Sequence, residues 1–307
     1  MKTEIIKLTE KSPLSSYESA ARLILKGEVV GMPTETVYGL AGNAYDEAAV
    51  KKIFEAKGRP QDNPLIVHIS QFHEIYDLVK EVPESAKKLA ERFWPGPLTI
   101  ILEKSEKVPY TVTAGLETVA VRCPEHPVAR NFIKACGVPI AAPSANLSGK
   151  PSPTTAAHVF ADLNGRIPLI IDGGESREGV ESTVLLLASK TPRLLRPGNV
   201  TLGELKSVLG EVLVDDAVLN PLKSGEKVSS PGMKYKHYSP DAEVTLIKGS
   251  YSAFLNFVNE NAGEKVCAMV FNGEGDGLKC DFIEYGERQN YRSLSNRLFD
   301  VLRELDD

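Results

Sequence analysis

Gly31-Met32-Pro33-Thr34-Glu35-Thr36-Val37-Tyr38-Gly39-Leu40 follows directly on Glu28-Val29-Val30, a short run with the character of a buried strand's last residues. A strand that runs into Pro33 cannot continue a central ladder, because proline has no N–H and a fixed φ. The chain must turn out there, which presents two threonine hydroxyls and a carboxylate at the edge of a sheet. Gly39 then allows close backbone approach. Taken alone, the stretch reads equally well as a mounted site and as an ordinary strand-to-loop connection rich in threonine.

Working outward, strand-like and helix-like periods alternate. Residues 4–8 read as a first strand, and Ser16 is placed to cap a helix with Ala20, Leu23 and Ile24 on one face and Gly27 at its stop. Asp46 is an N-cap for a helix over 47–56, where Ala49, Val50, Ile53 and Phe54 recur at helical spacing and Gly58 follows. Lys57 and Arg59 therefore fall where that helix breaks. Asn63-Pro64-Leu65-Ile66-Val67-His68-Ile69 is a β-rich run bounded by turn residues, an inner strand with His68 near its far end. Pro83 stands as the first residue of a helix that Trp94-Pro95-Gly96-Pro97 ends before a strand over 98–102. Thr118 begins a strand that carries Arg122 at its mouth, and a helix over 127–135 precedes a strand over 138–142. A long polar loop from Pro143 to Pro153 holds Ser144, Asn146, Ser148 and Ser152. A helix from 154, strands over 168–171 and 183–187, and a capping box at Thr201 and Glu204 complete an α/β layered domain ending near residue 210.

Residues from about 215 to 240 carry no clean period and are rich in Ser, Lys, Pro and Gly, longer than most loops in a compact domain, so 211–240 reads as a linker. Beyond it, strands over 243–247 and 266–271, a helix from 252, a run near Phe282 and a helix from 291 predict a smaller α/β domain over 241–307. Gly273, Gly275 and Gly277 lack GxGxxG spacing and read as a turn. The last helix, with Leu298, Val301, Leu302 and Leu305 on one face, is still periodic at Asp307, so this domain is expected to be cut short.

At 307 residues, 42% hydrophobic, 25% charged and a formal net charge of −5, the composition is that of a globular protein. The acidic balance argues against a broad nucleic-acid surface, although a local basic cleft can still hold phosphates. The N-terminus lacks an apolar leader and no apolar run reaches membrane-spanning length, so the expected location is the cytoplasm and no membrane contact is expected. Cys123, Cys136, Cys267 and Cys280 have no CxxC spacing and read as buried free thiols; with five scattered histidines, no structural metal is expected.

Ligands of α/β sheets bind beyond strand carboxyl ends, and those ends hold Thr34, Thr36, His68, Arg122, Ser144, Asn146, Ser182 and Thr183. Lys57, Arg59 and Arg196, cations at element ends, suit a polyphosphate, and no P-loop is present. Each residue also has a plain structural reading: Arg122 paired with Glu125 or Glu117, Lys57 and Arg59 on helix carbonyls, His68 bonded in the core, Glu35 and Glu181 paired locally.

The ordered segments Pro33-Thr34-Glu35-Thr36-Val37-Tyr38-Gly39-Leu40, Lys57-Gly58-Arg59-Pro60, Asn63-Pro64-Leu65, Trp94-Pro95-Gly96-Pro97-Leu98-Thr99, Val121-Arg122-Cys123-Pro124, Ala142-Pro143-Ser144-Ala145-Asn146 and Leu195-Arg196-Pro197-Gly198 resemble the YrdC family. With Pro231-Gly232-Met233-Lys234-Tyr235-Lys236-His237-Tyr238, the whole chain resembles its long, two-domain form. The resemblance implies a twisted open mixed sheet with helices, a linker, and a smaller Rossmann-like α/β domain. It implies a nucleotidyltransferase that makes threonylcarbamoyl-AMP and pyrophosphate from L-threonine, bicarbonate or CO₂, and ATP. That product serves tRNA threonylcarbamoyladenosine modification, with hand-over to the transferase machinery. Carried onto this sequence, it places threonine near Thr36, His68, Arg122, the Ala142 backbone and Ser182. It places ATP along Arg59, Asn63, Thr118, Ser144, Asn146, Ser152 and Arg196, with Lys57 close to the phosphates, Mg²⁺ held mainly by phosphate, and Tyr235 on a lid. Lys57, Arg59 and Arg196 would act on the developing phosphate charge. An RNA-binding module without catalysis and a carbamoyl-adenylate-forming enzyme are the competing readings, and direct tRNA contact is left open.

Overall fold

The computed structural model describes residues 2–219, 240–263 and 265–306. Its strands are β1 Glu4–Lys7, β2 Val30–Met32, β3 Gly39–Asn43, β4 Ile66–His68, β5 Leu98–Glu103, β6 Thr118–Arg122, β7 Ile140–Ala141, β8 Leu169–Asp172, β9 Thr183–Leu186, β10 Arg193–Arg196, β11 Leu213–Val214, β12 Cys267–Val270 and β13 Asp281–Glu284. The helices are α1 Glu18–Leu25, α2 Glu47–Lys57, α3 Glu84–Phe93, α4 Tyr110–Thr113, α5 Pro127–Cys136, α6 Ala156–Leu163, α7 Leu202–Leu209, α8 Asp216–Leu219, α9 Tyr251–Glu260 and α10 Tyr291–Glu304.

β1 to β11 form one mixed sheet in the order β1-β8-β2-β3-β7-β4-β6-β5-β9-β10-β11. Parallel pairs (β1/β8, β2/β8, β4/β6, β5/β9, β10/β11) are mixed with antiparallel ones (β2/β3, β3/β7, β4/β7, β5/β6, β9/β10), as the open mixed sheet expected from the resemblance requires. β12 and β13 pair in parallel as a separate two-stranded sheet, flanked by α9 and α10.

Strand alternation sorts the side chains onto two faces. Leu40, Val67, Ile100, Val121 and Ile170 join the core under α2, α3, α6 and α7. On the opposite face, Val30, Met32, Ala41, Leu169 and Ile171 pack against α1 and α5 through Ala20, Ile24, Phe132 and Ile133. That second helical layer covers only the β1-β8-β2-β3-β7 half. Further along the same face, Ile66, Ile101, Ala120, Val184 and Leu195 form a small cluster made of strand residues alone. The functional cleft opens where the helices stop.

The caps at Asp46 and Thr201 are as read, with Asp46 accepting from the Ala48 and Ala49 amides and Thr201 and Glu204 forming the capping box. Four expectations need correction. Ser16 lies inside a 3₁₀ turn, Leu14–Tyr17, that leads into α1, so it does not cap that helix. Pro83 is the N-cap of α3 and not its first helical residue. Residues 243–247 form no strand. Cys123 and Cys136 are buried, whereas Cys267 and Cys280 are half-exposed, which corrects the reading of all four as buried. Gly273 and Gly277, with φ of 80° and 87°, make the turn between β12 and β13.

α10 docks on the first domain. Its Phe299 and Leu302 bury Val37, which is part of the opening stretch of sequence. Gly179 makes close approach possible: a Cβ there would lie 2.4 Å from the Asn296 backbone.

Candidate active site

The cleft encloses about 740 Å³, part of it open to solvent. Because β4 and β6 are parallel and in register at Ile66↔Ala120 and His68↔Arg122, Thr118, Ala120 and Arg122 share one face with Ile66 and His68. The two functional side chains are therefore fixed side by side at the strands' carboxyl ends. The cleft does not stop there. It runs back along β4 to Ile66, Leu65 and Pro64, so binding at carboxyl ends alone understated its reach.

Thr36, Lys57, Arg59, His68, Arg122, Ala142, Ser144, Asn146, Ser182 and Arg196 all face this one cleft. Asn63 and Thr118 are not among its lining residues. Both lie at the starts of β4 and β6, the far end of the same strands, and the fully buried Asn63 amide has no hydrogen-bond partner among the described residues. Ser152 is fully buried and donates to Glu181, which does line the cleft. Tyr235 falls outside the described residues.

Arg122 is 3% exposed and held from three sides: its Nε donates to the Gly96 carbonyl at 3.3 Å, Nη1 to Thr36 Oγ1 at 2.8 Å, and Nη2 lies 2.7 Å from Glu35 Oε1. Its ionic partner is thus Glu35. Glu125 pairs with Arg177 and Glu117 accepts from Tyr110, which corrects both local readings of Arg122. Burial alone would raise the Glu35 pKa, but the adjacent Arg122 charge holds it below the usual carboxylate value. Two guanidinium N–H groups remain for a ligand.

Thr34 Oγ1 donates to the Val37 carbonyl at 2.6 Å, so in its 2.9 Å contact with Thr36 it must accept. The hydroxyls therefore run in one direction, Arg122 to Thr36 to Thr34 to the Val37 carbonyl, and Thr36 has no proton to offer a reaction. Thr36 orients.

His68 is 4% exposed with Nδ1 3.2 Å from the Ile66 carbonyl. That acceptor favours the proton of the neutral ring on Nδ1, and the Ile140 carbonyl also lies against the ring. Burial, then the Arg122 charge, lower its pKa to about 3. Between that value and the unfolded value near 6.5, the unfolded chain binds a proton that the folded chain refuses, so this stability is complete above pH 6.5 and is lost as pH falls towards 3. In denaturant melts from pH 6 to 4, His68→Gln is expected to remove up to about 1.4 kcal/mol per pH unit of the wild-type slope.

Lys57, 2% exposed at the end of α2, donates to the Ser144 carbonyl at 2.5 Å, the Asn146 carbonyl at 2.6 Å and Asn146 Oδ1 at 3.2 Å. Burial, then Arg59, push its pKa well down. Arg196 reaches the cleft through an irregularity in β10 between Leu194 and Arg196; without it, strand alternation would send Arg196 to the covered face. Its Nε donates to the Ser182 carbonyl at 3.0 Å and Nη2 to Ser182 Oγ at 3.2 Å, while Thr99 Oγ1 meets the same hydroxyl at 2.8 Å. Gly198 is needed beside them, because a Cβ would stand 2.5 Å from the Thr183 nitrogen.

Glu35 and Glu181 do not pair locally as read: Glu35 meets Arg122 and Glu181 accepts from Ser152. The site thus has a fixed guanidinium and a neutral imidazole at one end and three cations along its length, a layout that can hold an amino-acid carboxylate and a polyphosphate together.

A family model described as "Telomere recombination" (Sua5_yciO_yrdC) matches residues 22–198, and one described as "Threonylcarbamoyl-AMP synthase, C-terminal domain" matches residues 200–307. The chain is 47% identical over 310 residues to the threonylcarbamoyl-AMP synthase of Pyrococcus abyssi, covering 99% of this chain and 89% of that protein. It is 48% identical over 292 residues to that of Bacillus subtilis, covering 94% and 84%. The crystal structure of P. abyssi Sua5 complexed with L-threonine superimposes with a TM-score of 0.92 at 47% identity, covering 99% of this chain and 89% of that one. With both domains matched in order and the cleft built from the motif residues, the chain belongs to the threonylcarbamoyl-AMP synthase family of enzymes.

Proposed function

We propose that the chain joins L-threonine, bicarbonate or CO₂, and ATP into threonylcarbamoyl-AMP and pyrophosphate, with threonine at the Arg122–His68 end of the cleft and ATP along the Lys57, Arg59 and Arg196 side. The observation that carries this reading is the single cleft in which a buried guanidinium fork and three separate cations face one another. Arg122 would take the threonine carboxylate, Thr36 and Ser182 would fix its orientation, and the neutral His68 ring would meet its hydroxyl or amine.

The threonine nitrogen bonds to the carbon of CO₂ and gives up a proton, forming a carbamate. A carbamate oxygen then bonds to the α-phosphorus as the bond to the bridging oxygen breaks and pyrophosphate leaves. No protein nucleophile is required, and the work left to the chain is to hold two anions against each other and offset charge on the phosphates. Arg59 and Arg196 suit that task as planar forks. Mg²⁺ bound with ATP would supply further charge neutralisation. Among the described residues lining the cleft Glu181 is the one carboxylate, so the fit is to an ion carried mainly by phosphate oxygens.

No helix among the described residues is long and apolar enough to cross a membrane. We place the reaction in the cytoplasm, with the product handed to the enzyme that modifies tRNA. Nothing in the cleft favours a bare RNA-binding role, and the net charge of −5 opposes one. Pyrophosphate exchange into ATP is expected only when both threonine and bicarbonate are present; exchange indifferent to threonine would sink the proposal.

A further inference from the structure

We infer that Arg303, on the last helix of the second domain, is a positioning residue for the nucleotide side of the cleft: it holds the loop 144–152 in place through the Pro151 carbonyl and the Asp162 carboxylate. Naming that side as the nucleotide side rests on the function proposed above; the tether itself does not.

Arg303 Nη2 donates to the Pro151 carbonyl at 2.6 Å and to Asp162 Oδ2 at 2.8 Å, and Nη1 reaches Asp162 Oδ1 at 3.4 Å. The two side chains are only 11% and 3% exposed, so this is a desolvated fork and not a surface ion pair. Asp162 Oδ2 also accepts from the Leu147 amide at 3.2 Å. One guanidinium from the second domain thereby fixes both ends of the segment from Leu147 to Pro151. Between them Ser148, Gly149 and Lys150 line the cleft. Just upstream are the Ser144 and Asn146 carbonyls that receive Lys57, and just downstream is Ser152 on Glu181.

The upstream half of the loop is tied to the first domain by Lys57 Nζ on the Ser144 and Asn146 carbonyls and by the Ser148 amide on the Lys57 carbonyl at 2.9 Å. Within the loop, Asn146 Nδ2 donates to the Leu147 and Lys150 carbonyls and the Lys150 amide to the Leu147 carbonyl at 3.3 Å, and Gly149 has a φ of 99°. α10 is in turn fixed to the first domain by contacts that do not involve the loop. Phe299 and Leu302 pack on Val37, and Asn296 Nδ2 donates to the Ser176 and Arg177 carbonyls at 3.0 Å each. Arg303 is therefore presented from a rigid support to the Pro151 end of a segment whose other end Lys57 holds, the arrangement by which a residue outside a site sets the geometry inside it.

The test uses the full chain with Arg303→Met, which keeps length and removes the fork. Hydrogen–deuterium exchange over residues 144–152 should speed up several-fold while β4 and β6 stay protected. The KM for ATP should rise about tenfold with the KM for threonine within about twofold. Arg303→Lys should return part of the ATP affinity, since an ammonium can still reach one of the two acceptors. Because a lone buried Asp162 is itself destabilising, the pair Asp162→Asn/Arg303→Met provides the control. Stability should recover in it, and the ATP defect should remain because Pro151 is still untethered. Unchanged exchange over 144–152, equal rises in both KM values, or recovery of ATP affinity together with stability in the double variant would each overturn the inference. If wild-type pyrophosphate release proved independent of threonine, the proposed reaction would fall and exchange alone would decide Arg303.

Discussion

Arg122→Ala is expected to lower kcat/KM for threonine by about 10³-fold and to destabilise the fold by about 3–5 kcal/mol, two effects of different origin. The first follows from the loss of the only buried guanidinium at the His68 end of the cleft among the described residues. The second follows from Glu35, whose 3%-exposed carboxylate would be left without its counter-charge. The pair Glu35→Gln/Arg122→Met separates them. Most of the stability should return, because neither ion is then buried alone, while threonine-dependent turnover should stay lost. Turnover that returned with stability would show that Arg122 serves the fold and does not bind threonine; pyrophosphate release and denaturant melts on the same three proteins decide it.

How far the site can be read from residue identities depends on the distance over which each contact acts. His68 and Arg122 were legible because each ends a short apolar run, and in-register pairing then places them together. α2 and α7 were legible through Asp46 and Thr201, whose caps are local. Gly39-Leu40-Ala41-Gly42-Asn43 was not: it is an almost wholly buried strand with two glycines and no alternation, so it carries no period. β10 was missed because its register breaks before Arg196, and that same break is what delivers Arg196 to the cleft. Glu35 stood inside the opening motif, yet its partner comes from another strand, and nothing local selects Arg122 over Glu35's sequence neighbours. The half-covered sheet face is a tertiary fact, set by where α1 and α5 end.

Lys57 shows the same limit and allows a sharper experiment. Its residue type and its position after a helix suggested a phosphate contact, but its three short contacts are to protein oxygens, two of them backbone carbonyls that no side-chain pattern reveals. A neutral amine has two N–H donors, so three converging acceptors are all served only by the ammonium, in spite of the burial that opposes it. Lys57→Met is expected to leave those oxygens without that donor at about 1–3 kcal/mol for each one that water does not reach, lowering Tm by roughly 5–15 °C. kcat should fall about 10²-fold or more as Ser144 and Asn146 lose their place. Lys57→Arg discriminates between the two roles. A planar fork restores charge near a phosphate but cannot point three donors at a pyramid of acceptors. If Lys57 mainly holds the loop, Lys57→Arg should be nearly as impaired as Lys57→Met; if it mainly neutralises phosphate, Lys57→Arg should recover most of the ATP affinity measured by titration.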